Sequence, residues 1–179
     1  MAIEIRELDY NNIGDVGECD GSFDVDAELR LMAVDGVIGY EIVPVPPYCK
    51  RYHHGDEHDL LAYIGNSPRG GFLAYLDGRI AGWMLVSVNW NNYAVVEDIE
   101  VDRSCRRSGV GRALIERGRE WAMSRGLPGL MLETQNNNIA ACRFYERCGF
   151  ILGGFDRYLY RGESPGTTEV AMFWYLVWK

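Results

Sequence analysis

The 179-residue chain has no run long and apolar enough to cross a bilayer as a helix, which excludes a membrane-spanning helical protein. It has no Gly-Lys-Ser/Thr loop, which argues against a nucleotide triphosphatase. It has no Cys-x-x-Cys pair. Cys19, Cys49, Cys105, Cys142 and Cys148 form an odd, scattered set that fits reduced thiols better than a disulfide framework. No histidine follows Asp77, so Cys105 and Cys142 have no nearby sequence partner for a Cys–His nucleophile. The N-terminus, Met1-Ala2-Ile3-Glu4-Ile5, lacks the basic-then-apolar layout of a secretion signal, and the expectation is a cytoplasmic protein. Repeats, low-complexity tracts and interdomain linkers are also missing, so one domain over residues 1–179 is expected.

What is present starts with an apolar fraction of 47%, ample for a packed core. The net charge of −8 is uneven: residues 1–36 hold ten acidic and two basic side chains, and the remainder carries sixteen of each. An acidic lobe repels nucleic acid and attracts cationic ligands, although acidic surface also serves solubility alone. A cationic ligand is the partner such a charge favours, with neither nucleic acid nor a membrane expected.

Ile3 to Leu8 alternates as a first strand. Residues 10–36 read as a loop with one or two short helices, and Val37 to Val45 as a strand ended by Pro44, Pro46 and Pro47. Residues 48–66 are read as partly helical around Leu60, Leu61 and Ile64. Gly71–Leu76, the turn Asp77-Gly78 and Ile80–Val88 predict a hairpin, and Asn91-Asn92 turns the chain into a strand from Tyr93 to Val101. Val110 to Arg125 has apolar residues at helical spacing, stopped by Gly126 and Pro128. Leu130–Thr134 reads as a strand and Asn138 as the cap of a helix ending at Gly149. Phe150–Tyr160 and Val170–Trp178 predict two long strands, and the aromatic end from Phe173 to Trp178 suits either internal packing or a homodimer contact.

The most specific stretch is Arg106-Arg107-Ser108-Gly109-Val110-Gly111, directly after the alternating run Val96–Val101. Glycines at 109 and 111 can bring bare backbone N–H groups against a pyrophosphate, and the helix opening there adds its positive end. Farther on come Leu132-Glu133-Thr134, Asn138, Ala140, Ala141, Tyr145 and Gly149-Phe150. Loop and downstream residues together resemble the core of the GCN5-related N-acetyltransferases, whose acetyl-CoA signature is Gln or Arg, two residues, Gly, one residue, then Gly or Ala. Asn89-Trp90-Asn91, Leu132 to Asn138, Pro47 to Tyr52 and Ala171 to Leu176 are similar to the streptothricin acetyltransferases within that group.

The resemblance implies an α/β fold: a single domain with a mixed, mostly antiparallel, twisted sheet flanked by helices and split between the fourth and fifth core strands. It implies acetyl-CoA as cofactor and acetylation of an amine on the β-lysine part of streptothricin, so the partner expected is a cationic small-molecule amine. Such an amine has a pKa near ~10.4, so only a few molecules in ~10⁴ are neutral at pH 7, a deficit of about 4–5 kcal/mol. By the same resemblance Arg106, Arg107, Ser108, Gly109, Val110, Gly111 and Arg112 would hold the pyrophosphate, with Arg107 standing where the family often has Gly. Ile99, Glu100 and Val101 would pair with the pantetheine arm, Asn138 and Ala141 would border it, and Tyr145 would protonate the departing thiolate. A lone tyrosine on a helix face also reads as core, and Asn138 as a cap alone.

The general base is open between Glu133 and Glu97, or a water chain leading to either. Alternation groups Glu97 with Ile99 and Val101, and Asp98 with Glu100 on the other face. These acids also suit anchoring a cation. Trp90, Tyr93, Asp98 and Glu133 are candidate acceptor contacts, with hairpin packing the alternative for Trp90. Another amine acceptor, or cofactor binding without catalysis, remain the rival readings. Cys49, His53, His54, Asp56, Glu57 and His58 match no zinc spacing, and no metal site is expected.

Overall fold

The computed structural model of the chain describes residues 2–52 and 57–178. In chain order it contains β1 (Ile3–Glu7), β2 (Phe23–Val34), β3 (Val37–Lys50), α1 (Glu57–Leu60), β4 (Arg69–Leu76), β5 (Arg79–Val88), β6 (Ala94–Val101), α2 (Val110–Met123), β7 (Gly129–Gln135), α3 (Ile139–Arg147), β8 (Ile151–Asp156) and β9 (Ala171–Val177). Four short 3₁₀ turns join them. No helix among the described residues is long and apolar enough to cross a membrane. Chain contacts divide the molecule into two compact units: residues 1–22, 51–130 and 178–179, and residues 23–50 and 131–177.

In the first unit β1, β4, β5 and β6 are neighbours in that order, each pair antiparallel. The Asp77-Gly78 turn has both residues at positive φ, 49° and 84°, as a tight hairpin demands. One face of the sheet buries Leu73, Tyr75, Trp83 and Leu85 against Leu8, Ile13, Val16, Cys19 and Leu60. On the other face α2 buries Val110, Leu114, Ile115, Gly118, Trp121 and Ala122, one stripe at helical spacing. A side chain at Gly118 would stand 2.8 Å from Met84 Cε, so the missing Cβ sets how closely α2 lies on β5. At the far end Gly126 turns at φ 69° and lets the Leu127 N–H bond back to the Ala122 carbonyl at 3.1 Å, closing α2.

The second unit contains the β2–β3 hairpin, β7, α3 and the antiparallel pair β8–β9. β2 buries alternate residues, Phe23, Val25, Leu29 and Leu31, while Asp24, Asp26 and Arg30 face water. Buried Asn136 fixes this ribbon to the end of β7. Its amide donates to the Leu29 carbonyl at 3.1 Å, and its carbonyl accepts the Leu29 N–H at 2.9 Å. Trp174, Met172, Leu132, Cys142 and Phe150 complete the core. The aromatic end of the chain thus packs Trp174 inward.

Three expectations about elements are corrected. Residues 23–34, read as loop, are a twelve-residue strand. β3 continues to Lys50 instead of stopping at the prolines. Val25 pairs with Tyr48 and Ala27 with Pro44, so Pro46 and Pro47 fall in a bulge where the ladder needs no donor. The strand from Phe150 is short, Ile151–Asp156, and residues 159–162 form a 3₁₀ turn, because Asp156 accepts the Tyr158 N–H at 2.7 Å and bends the chain. Of the ten carboxylates among residues 1–36, six lie in the first unit and four in the second.

Candidate active site

The phosphate-type cradle is built in the first unit, at the end of β6. Asp102 caps the turn that follows: its carboxylate accepts the Ser104 N–H at 2.9 Å and the Asp20 N–H at 2.9 Å. Partial burial opposes its charge, but hydrogen bonds from the Ser104 hydroxyl and from the Asp20 and Ser104 N–H groups, with the nearby charge of Arg106, hold its pKa below the ordinary carboxylate range. Ser108 Oγ donates to the Cys105 carbonyl and tightens the loop. Gly109 then takes φ 95°, a conformation that costs a side-chain-bearing residue about 1–2 kcal/mol, and α2 starts at Val110 without a side-chain cap. The first-turn N–H groups of Gly109, Val110, Gly111 and Arg112 are the ones an α-helix cannot satisfy internally. A fourteen-residue helix adds a positive end of about half a charge there. The donor set fits an anionic pyrophosphate.

Two loop arginines differ in role. Arg106 donates to the carbonyls of Ser22 at 2.7 Å, Gly21 at 3.0 Å and Val101 at 3.3 Å. Its guanidinium ties the loop to the preceding segment. Arg107 stands at φ 66° in the left-handed region, which explains in backbone terms why glycine suits that position.

On β6 a bulge falls at Glu97: Val86 pairs with Val96 but Leu85 with Asp98. The extra residue breaks the alternation and corrects the expected grouping. Glu97 accepts hydrogen bonds from Ser87 and from Tyr63 at 2.9 Å, on the Leu85 and Trp83 face with Asp98 and Glu100, opposite Ile99 and Val101. Burial, and then the bond to Glu97, push the Tyr63 hydroxyl upward, so it stays a donor. Glu100 is buried, its carboxyl packed where a Cβ on Gly21 would lie 2.0 Å away, and it helps burial raise the Cys19 thiol. The expected cofactor role of Glu100 is therefore limited to its backbone. Asp98 is half-buried. Trp90 is 90% exposed on the Asn89–Asn92 turn, which overturns hairpin packing as its role, and half-buried Tyr93 closes that turn through its carbonyl to the Asn89 N–H at 2.9 Å.

In the second unit Asn138 caps α3 by accepting the Ala141 N–H at 3.2 Å. That bond commits the Ala141 N–H to the cap. Tyr145 is buried, its ring 5.7 Å from Phe150 and 6.3 Å from Trp174. The packing that a lone aromatic suggests is present, and it fixes the ring from which the hydroxyl projects.

Glu133, exposed on β7, accepts a hydrogen bond from Tyr160. The protein mass around it disfavours its charge, Glu169 adds repulsion and Lys50 opposes both; the carboxyl is pushed up to about 7. Sequence reasoning missed this surround: Tyr160, Lys50, Glu169 and Asn137 come from elements far apart in the chain. It also missed Tyr63 and Ser87 beside Glu97. Of these, Asn137 inside the Leu132–Asn138 run and Lys50 inside the Pro47–Tyr52 run carried a signal. Among the metal decoys, His53, His54 and Asp56 lie outside the described residues, as do the side chains of Glu57 and His58.

With this geometry in view, the comparisons are consistent. Residues 40–150 match the model of the acetyltransferase (GNAT) family. The chain is 42% identical over 129 residues to streptothricin acetyltransferase A of Bacillus subtilis (strain 168), covering 72% of this chain and 73% of that protein. Among solved structures, a Bacillus anthracis protein assigned as a streptothricin acetyltransferase, in complex with acetyl coenzyme A, is similar at TM-score 0.90 and 43% identity over 100% of this chain and 99% of that one. Nourseothricin acetyltransferase is similar at TM-score 0.81 and 35% identity, with 99% of each chain covered.

Proposed function

Because the chain belongs to the GNAT family of acetyltransferases, with its α/β fold and mixed, mostly antiparallel sheet, we propose that it works as one domain over residues 1–179 and transfers the acetyl group of acetyl-CoA to an amine on the β-lysine part of streptothricin. The observation that carries the reading is the full-length likeness to a streptothricin acetyltransferase that binds acetyl coenzyme A. The product has lost a positive charge the antibiotic carried, which is the sense in which the reaction confers resistance.

Acetyl-CoA supplies an activated thioester. The chain's own residues do the rest. The N–H groups from Gly109 to Arg112 hold the pyrophosphate, and the loop keeps its shape through Asp102, Arg106 and Ser108. The main chain of Ile99 and Val101 offers the pantetheine arm a strand-like edge. Glu133 takes the proton from the acceptor ammonium. A carboxyl at about 7 is half ionised at neutral pH and poised for that task, while Glu97, held by two hydroxyl donors, suits an anionic anchor. Tyr145 returns a proton to the thiolate from a ring that packing holds still. Trp90 and Tyr93 on their turn, with Asp98, contact the acceptor.

The test is acetyl-CoA turnover, followed by thiol release, with streptothricin beside aminoglycosides, polyamines and peptides. High kcat/KM for streptothricin alone is expected. Turnover of another amine in its place overturns the substrate assignment, and absence of turnover with every amine overturns the catalytic one.

A further inference from the structure

The chain contains sixteen arginines and two lysines, Lys50 and Lys179. Where it needs a cation it uses a guanidinium almost everywhere; at the end of β3 it uses an ammonium. Lys50 Nζ is seated on Glu169, with Gln135 Oε1 at 3.3 Å, and both side chains of the ion pair are largely withdrawn from water, 18% and 27% exposed. Glu169 is fixed in turn by Asn137, whose amide donates to it at 2.9 Å and to Tyr48 Oη at 2.9 Å. Asn137 is 4% exposed, and its Oδ1 is a buried acceptor without a donor among the described residues. Beside this seat stands Glu133 with Tyr160. Two carboxylates thus surround one ammonium, and the seat can accommodate positive charge beyond what Lys50 brings.

This is a lysine-ammonium site that already contains a lysine. We propose that the ε-ammonium of Lys50 occupies the subsite that receives the lysine-like ammonium of the acceptor, so that acceptor binding displaces Lys50 from Glu169. The inference rests on the reading of the chain as an acetyltransferase of a cationic amine and names the residues that recognise it. An ammonium suits such a placeholder better than a guanidinium. It is a point charge on a flexible four-carbon stem, whereas Arg would grip Glu169 through two parallel hydrogen bonds and leave less readily. Displacement exchanges one ammonium for another, so neither carboxylate is left without a cation.

Two measurements test it. Lys50→Met keeps the stem and removes the competitor: KM for the amine the enzyme turns over is expected to fall at least threefold, with KM for acetyl-CoA unchanged and the melting temperature recorded alongside. An unchanged or higher acceptor KM in a folded variant overturns the proposal. The wild-type protein, without acetyl-CoA, is also treated with an N-hydroxysuccinimide acetate, and labelling of Lys50 relative to Lys179 is read by peptide mass. Saturating streptothricin, and spermidine as a second probe, are expected to raise that ratio at least threefold as Lys50 is expelled into water. A ratio unchanged or lowered by both overturns the displacement. The labelling reads occupancy rather than turnover, so it separates failure of this inference from failure of the substrate assignment.

Discussion

At the scale of single residues, the proposed mechanism divides the acid–base work between two side chains of the second unit, Tyr145 and Glu133, whose surroundings differ. Tyr145 sits in an aromatic cluster whose ring contacts to Phe150 and Trp174 a Phe would keep. Tyr145→Phe is therefore expected to keep its melting temperature within a few degrees while kcat falls by about 10²-fold or more, the usual worth of a positioned general acid. Steady-state kinetics with acetyl-CoA KM as the internal control checks this. For Glu133 the sign follows from its raised pKa. A base must be ionised, and this carboxyl, pushed up to about 7, is protonated below that pH. So kcat/KM is expected to fall about tenfold per pH unit below neutrality, and Glu133→Gln to lower activity and abolish that limb. Stability runs the other way. The folded state keeps the proton to about 7 while the unfolded chain loses it near the ordinary 4.5, so stability falls as pH rises through that window. Glu133→Gln flattens this dependence in thermal melts taken from pH 4 to 8. If instead Glu97→Gln removes the acid limb and Glu133→Gln does not, Glu97 is the base.

At the scale of elements, the cradle depends on one backbone conformation. Gly109 at φ 95° opens α2, and Ala there must either adopt a left-handed conformation or move the first turn. Gly109→Ala is expected to cost about 1–2 kcal/mol in chemical denaturation and to raise the dissociation constant for acetyl-CoA at least tenfold in calorimetry, whereas Arg107→Gly, at a position already left-handed, keeps the loop conformation and weakens acetyl-CoA binding only by the loss of one positive charge. This cradle was legible in the sequence because its chemistry is local: glycines, a preceding strand and a following amphipathic helix all lie between Ala94 and Met123. The hairpins with Asp77-Gly78 and Asn91-Asn92 were legible for the same reason. β2 was not, since its alternating Phe23, Val25, Leu29 and Leu31 are interspersed with Asp24, Asp26 and Glu28, which read as loop, and its pairing with β3 crosses a bulge at Pro46 and Pro47. Nor was the bulge at Glu97. Six residues from Val96 to Val101 alternate as though regular, and only the register against β5 reveals that one of them is extra. The seat around Glu133 was the least legible part, because Lys50, Tyr160 and Glu169 are brought together by pairing between elements and no spacing along the chain encodes it.

At the scale of the whole molecule the decisive quantity is charge. The chain carries a net −8, and all ten carboxylates among residues 1–36 are exposed or half-exposed, in both compact units. Among the described residues Glu4 meets Arg6, and Glu7 meets Arg117 at 2.8 Å, both at exposed positions where an ion pair contributes little. What remains is a negative field over a protein whose proposed acceptor is a polycation. Such a field raises the encounter rate and weakens within a Debye length, about 10 Å at 0.1 M salt. Raising the ionic strength from about 50 to 300 mM is therefore expected to lower kcat/KM for streptothricin several-fold, mostly through KM, and to lower it much less for a monoamine acceptor of low charge. Equal sensitivity of the two acceptors would place the salt effect on the anionic acetyl-CoA, and salt-independent kinetics would reduce the acidic surface to a matter of solubility. Replacing Asp24, Asp26 and Asp35 together by Asn distinguishes field from contact. All three are exposed. If the field is what matters, the triple variant keeps kcat, loses part of the salt dependence, and does so for every polycation in the panel alike.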